Sequence, residues 1–195
     1  MECFQNAPKD LQFTFGTNFI TCDRPNEQDE ESILRESKVS ILFKNDKGYE
    51  DWIKIWNMYA TKKENFYYHT RIDWKDIVDN WTDNLIMIIP PFDNYIHTNL
   101  LKNGKVIPCF GGIKPIYTIF DCCLPWIDVL NNKVKSVASS EKCELLNVNP
   151  IYYYKKSDFD AWQALKCIEE GTKYDKPNLN WCVSDEFSFE NFLTK

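Results

Sequence analysis

The sequence predicts an α/β fold in which strands and helices alternate. Apolar or alternating runs of strand length recur along the chain, and segments with apolar residues at helical spacing stand between them. Turn and capping residues separate the two kinds of segment. With 195 residues, a 44% apolar fraction and 15% aromatics, the chain is long enough to bury a sizeable core. A single domain over 1–195 is the expectation.

Leu11 to Ile20 alternates and is rich in β-formers, predicting a strand. The segment 23–37 sets many carboxylates against Arg24 and Arg35 and holds Pro25, which predicts a solvated acidic loop with one helical turn. Val39 to Phe43 reads as a buried strand. Asp46 is expected to cap a helix whose core stripe is Tyr49, Trp52, Ile53, Trp56 and Ala60. Asp73 is expected to cap a short helix from Trp74 to Trp81.

Leu85 to Ile89 is wholly apolar and stopped by Pro90-Pro91, which predicts a strand covered on both faces, as in parallel sheets. A short helix is expected over Asp93 to Leu101, closing near Gly104, followed by strands at Val106–Phe110 and Ile116–Phe120. Trp126, Ile127, Leu130, Val134, Val137 and Ala138 form the stripe of a long helix, and Leu145 to Val148 returns to strand. Ser157 with Asp160 approximates a capping box for a helix carrying Ala161, Trp162, Leu165 and Ile168, which Gly171 ends. The segment 173–195 ends in Phe187, Phe189 and Phe192. These rings are expected to dock, either near Trp162 and Leu165 of the same domain or on a partner.

Composition narrows the function classes. The net charge of -6 argues against strong direct nucleic-acid binding, which needs clustered Lys or Arg. Six glycines form no phosphate-cradling motif. Eight cysteines contain no Cys-x-x-Cys pair, so a structural zinc site is not expected. Met1-Glu2-Cys3-Phe4 has no basic or apolar leader character, and no apolar run approaches the ~20 residues of a membrane span. Reduced thiols in a cytoplasmic protein are the expectation.

The chemistry-bearing residues are sparse. Asp93 and His97 have a ligand spacing, but a surface carboxylate–imidazole contact is the simpler reading. His69, after Phe66-Tyr67-Tyr68, reads as a loop histidine touching an aromatic. Asp158 and Asp160 could form an acid–base pair, yet carboxylates favour first helical turns. No nucleophile elbow is present. No catalytic residue, metal or cofactor is expected.

Four segments, in order, carry a resemblance. Phe15-Gly16-Thr17-Asn18-Phe19 matches the pattern Ile-Gly-x-Glu-Phe. Lys38 to Tyr49 matches His-Leu-x-Leu-Leu-Ala-Lys-Asn-x-x-Gly-Tyr. Leu85 to Pro91 occupies a strand leading into a Ser-Gly-Cys turn. Asn149-Pro150-Ile151-Tyr152-Tyr153 followed by Asp158-Phe159-Asp160-Ala161 matches Asn-Asp-x-His-Tyr and then Asp-x-x-Ala. These patterns resemble the polymerase-and-histidinol-phosphatase (PHP) domain of bacterial DNA polymerase III alpha subunits.

The resemblance implies an incomplete or rearranged PHP-like βα barrel, lacking the family's opening His-x-His segment. It also implies that Asn18, Lys38, Pro91, Pro150 and Tyr152 stand at metal-ligand positions. None is a normal ligand there, since such cations take carboxylate or imidazole. The implied function is a non-catalytic, structural or subunit-docking module in DNA replication, with DNA polymerase or other replication proteins as partners. Two alternatives stand beside it: a metal-dependent phosphoesterase or exonuclease half-domain completed in trans by a partner chain supplying the His-rich motif and the missing barrel strands, and a stand-alone protein-binding module.

Overall fold

The computed structural model describes residues 13–175 and 184–194. Strands and helices alternate along it, as the sequence patterning predicts: β1 (Phe15–Cys22), α1 (Glu30–Ile33), β2 (Ser37–Phe43), α2 (Asp46–Thr61), β3 (Ile72–Asp73), α3 (Trp74–Asp79), β4 (Leu85–Ile89), α4 (Tyr95–Leu101), β5 (Ile116–Ile119), α5 (Ile127–Glu141), β6 (Leu145–Asn147), α6 (Phe159–Glu170) and α7 (Phe189–Thr194). The strands are hydrogen-bonded in the order β3-β1-β2-β4-β5-β6, an open mixed sheet. Two compact units divide within β5, after Tyr117.

In the first unit β2 runs antiparallel to both β1 and β4, while β3 pairs parallel to β1 and β5 parallel to β4. Burial alternates along β4. Leu85, Met87 and Ile89 are buried, whereas Ile86 and Ile88 are half-buried. This corrects the expectation of a strand covered on both faces. A wholly apolar run does not reveal the period-2 burial that a sheet with one dry face imposes.

The dry face carries Phe19, Val39, Ile41 and Met87. Against it, Trp52, Trp56 and Tyr59 of α2 set their rings edge-on to Phe19 at centroid distances of 6.5, 6.0 and 5.1 Å, geometry that aromatic quadrupoles favour. The α2 stripe is rotated from the expected one. Ile55 is fully buried, while Tyr49 is 48% exposed and Ala60 faces solvent. Asn45, not Asp46, caps α2 by accepting from the Gly48 amide at 2.8 Å. A Cβ at position 48 would lie 2.6 Å from the Asn84 carbonyl, so only glycine fits this approach.

Asp73 caps α3 as expected, accepting from the Lys75 amide at 2.9 Å, although the helix ends at Asp79 rather than Trp81. Val106–Phe110 is not a strand. The Asn99 side chain takes both the amide and the carbonyl of Val106, each at 2.8 Å, and so satisfies backbone groups that a ladder would otherwise use.

In the second unit, Ile127, Leu130, Val134 and Ala138 form the buried stripe of α5, and Asn131 donates to the Phe120 carbonyl at 2.7 Å. A short 3-10 turn, Lys156–Asp158, precedes α6, and Asp158 rather than Asp160 accepts from the Lys155 amide, at 2.9 Å. Gly171 ends α6 in the left-handed conformation, with φ of 63°. Leu165 and Ile168 are 55% and 79% exposed, and Gln163 and Cys167 are the buried residues instead. No helix among the described residues is long and apolar enough to cross a membrane.

Candidate functional site

Asn18 and Lys38 project from the half-covered face of the β1–β2 ladder, because Asn18 lies opposite Ser40 and Ile20 opposite Lys38. The Ser40 hydroxyl donates to Asn18 Oδ1 at 2.5 Å. Lys38 Nζ lies 2.9 Å from Asp93 Oδ2, and Lys102 Nζ lies 2.8 Å from Asp93 Oδ1. One carboxylate is thus held between two ammonium groups. Its backbone is equally committed: Asp93 has φ of 56° and its carbonyl accepts from the Lys38 amide at 2.7 Å. Left-handed backbone is uncommon outside glycine, though aspartate adopts it more readily than most.

Electrostatics follow from this packing. Burial works to raise the Asp93 carboxyl, but Lys38 and Lys102 outweigh it and hold the group well below the usual carboxylate range. His97 is 1% exposed and sets its ring edge-on to Phe92 at 5.9 Å. Its Nδ1 accepts from the Asp93 amide at 3.4 Å. Burial, with Lys102 adding to it, lowers its pKa to about 4. The expected surface contact between Asp93 and His97 is therefore corrected. Asp93 precedes α4, whose cap is Asn94, and turns to the lysines while the imidazole is enclosed.

This arrangement gives stability a defined pH dependence. An unfolded histidine gains its proton near pH 6.5, whereas folded His97 stays neutral to about 4. Between those values the unfolded chain binds more protons, so stability is present above pH 6.5 and is lost as pH falls toward 4. The loss amounts to about 3 kcal/mol. Urea unfolding at stepped pH should show this slope, and His97→Gln should flatten it. An unchanged slope in that variant would assign the acid sensitivity elsewhere.

Beside the triad lies a cleft of about 220 Å³. Ile20 and Ile33 supply apolar lining, and Lys38, Lys102, Asp93 and Glu36 supply charge. Glu36 is committed to His69 Nε2 at 2.8 Å and to Arg71 at 3.3 Å. His69 thus has a carboxylate partner, which the reading of it as a loop histidine beside an aromatic omits. Arg71 is fully buried and donates to the Pro25, Glu27 and Asn65 carbonyls at 2.6, 2.8 and 3.2 Å and to the Ser32 hydroxyl at 2.9 Å. Neither Arg71 nor Lys102 stands out in the sequence as a site residue. A lone Arg before Ile-Asp is a faint signal for the first, and Lys102 has none.

The other sequence-predicted positions serve local structure. The carbonyls of Pro90 and Pro91 accept from the Asn94 side chain, at 2.6 and 3.3 Å, and so fix the start of α4. In the second unit Pro150 lines a small cavity with Phe120, Phe187 and Ser188. Tyr152 stacks on Trp162 at 4.8 Å and 5°. Phe187 is 2% exposed and packs against Tyr152 and Phe120, whereas Phe192 stacks on Phe189 at 6.1 Å and is 43% exposed.

The residues do not fit the multinuclear metal centre that the sequence resemblance would bring. Asn18 offers a neutral oxygen, Lys38 an ammonium, Pro150 no donor, and Tyr152 a ring engaged in stacking. Among the described residues no group of three or more His, Cys, Asp or Glu is placed to hold a metal ion.

No family model matches the chain. DNA polymerase III subunit alpha of Yersinia pestis is 24% identical to it over 153 residues, covering 76% of this chain. The chain spans 13% of that protein's length. Over most of its own length, the chain is similar to a segment of a DNA polymerase III alpha subunit.

Proposed function

We propose that the chain is a PHP-like module of a DNA polymerase III alpha-like replication protein, with its metal positions given up and a structural or subunit-docking role retained. The observation that carries the loss is Lys38. At the position where the resembling pattern has histidine, its ammonium is bound to Asp93 and shares that carboxylate with Lys102. A fixed ammonium repels a cation at close range. The alternative of a half-domain completed in trans is opposed by the same residues, since a partner strand would not replace Lys38, Pro150 or Tyr152.

Replication proteins are the proposed partners, and the similarity to a polymerase subunit supports them. The net charge of -6 disfavours direct capture of DNA. Of the three tail aromatics, Phe192 is the docking candidate because Phe187 is spent on the interior and Phe189 is half-buried.

The purified protein is expected to hold no stoichiometric zinc, manganese or iron and to leave a generic phosphate ester uncleaved. Elemental analysis and a chelator-controlled assay check this. Two or more tightly held ions per chain, or cleavage that a chelator abolishes, would overturn the reading. Affinity capture against individual replication subunits tests the docking role, with Phe192→Ala expected to weaken it.

A further inference from the structure

We infer that the cleft beside Lys38 and Lys102 is a binding site for a small aliphatic monocarboxylate, whose carboxylate bridges the two ammonium groups and whose hydrocarbon lies against Ile20 and Ile33. The inference rests on the geometry of the first unit and stands apart from any role in replication.

Donor supply is the first argument. An ammonium has three N–H donors. Lys38 and Lys102 each place one on Asp93, and among the described residues neither has a further hydrogen-bond acceptor. Four charge-assisted donors therefore remain beside the cleft. Both side chains are about two-thirds withdrawn from solvent, at 33% and 30% exposure, which strengthens their pull on an anion.

Charge balance is the second argument, and it selects the ligand's valence. Lys38, Lys102 and Asp93 sum to one positive charge. Glu36 adds a negative edge, largely answered by Arg71 at 3.3 Å. A monoanion neutralises the triad, whereas a dianion would leave an excess negative charge facing Asp93 and Glu36. An inorganic phosphate or phosphate monoester is thus disfavoured.

Shape is the third. About 220 Å³ accommodates a short acyl chain, and Ile20 and Ile33 give that chain apolar contact. The triad is also fixed beforehand: Asp93 is held through its left-handed backbone and its carbonyl bond to the Lys38 amide, so little ordering accompanies binding.

The test titrates the full chain with acetate, butyrate, hexanoate and inorganic phosphate, followed by amide chemical shifts and calorimetry. Affinity should rise roughly fourfold for each methylene that becomes buried. Shifts should centre on Ile20, Ile33, Lys38 and Lys102, and binding should weaken with salt. Lys38→Met and Lys102→Met should each reduce hexanoate affinity by at least about tenfold. Asp93→Asn, close to isosteric, should raise affinity and admit phosphate, an opposite sign that misfolding would not produce. Phosphate binding the unaltered protein as tightly as hexanoate, no gain along the acid series, or unsaturable shifts scattered over the surface would each overturn the assignment.

Discussion

Replacing Arg71 with Met is expected to destabilise the first unit by about 3–5 kcal/mol, the cost typical of removing one partner from a buried charged network. Arg71 is 0% exposed, and its guanidinium ties two stretches of chain together, the acidic segment with its α1 turn and the turn at Asn65. It donates to Pro25 and Glu27 in the acidic segment, to Ser32 in α1, and to Asn65 before β3. Glu36 balances its charge and Tyr67 lies 5.4 Å beneath it. Methionine fills similar space but leaves those carbonyls without their donor and Glu36 without its buried cation.

Lysine keeps the charge yet lacks the planar fork that spans several acceptors, so Arg71→Lys should also lose stability, though less than Met. Urea denaturation measures both. A loss below about 1 kcal/mol for Arg71→Met would mean that the acidic segment is held by other contacts. Glu36→Gln in the Met background should restore part of the loss, because it neutralises a carboxylate left with His69 alone as a partner.

The acidic segment illustrates what the sequence reveals and what it conceals. Its composition marks 23–37 as polar with one helical turn, and α1 is that turn. Composition gives no sign that its carbonyls converge on one distant arginine, because a backbone acceptor looks the same in every sequence. The same holds for Val106–Phe110, which has β-forming residues but gives the Val106 backbone groups to the Asn99 side chain. Alternation of strands and helices was legible because apolar periodicity is local. The reversed direction of β2 was not, since strand polarity depends on non-local pairing.

At the candidate site, the resemblance singled out Asn18 and Lys38 one by one, and only the antiparallel register of β1 and β2 puts them on one face. Lys38's partner was not legible. Asp93 and His97, four residues apart, invite pairing on a helix, but Asp93 lies outside α4 in a left-handed turn that sends its carboxylate to Lys38 and Lys102. Such a turn in a non-glycine residue is set by the surrounding structure. Helix phase was the other limit. Leu165 and Ile168 form the more apolar stripe, yet Gln163 and the small, weakly polar Cys167 are the buried pair. Burying Gln163 is made tolerable by its hydrogen bond to the Tyr174 carbonyl, at 3.4 Å.

Phe187→Ala is expected to cost the second unit about 3–5 kcal/mol, the range for a fully buried aromatic removed without collapse of its site. The ring lies between Tyr152, at 5.3 Å, and Phe120, at 6.1 Å. Backbone bonds hold it there: the Tyr152 amide donates to the Phe187 carbonyl at 2.9 Å, and the Phe189 amide to the Tyr153 carbonyl at 2.9 Å. Ser188, fully buried, forms a parallel bridge with Tyr153. The tail is thereby laced along 152–154, and the surrounding rings have little freedom to refill the space left by Phe187. Phe192→Ala should cost less than about 1 kcal/mol, since 43% of that residue is already in solvent. Chemical denaturation of the two variants separates the roles of the tail. Equal losses would mean that α7 belongs to the core as fully as Phe187 does. A negligible loss for Phe187→Ala would mean that its pocket closes without it. Ending the chain after Asp185 removes both rings and the backbone lacing, and should lower the melting temperature by at least as much as Phe187→Ala alone.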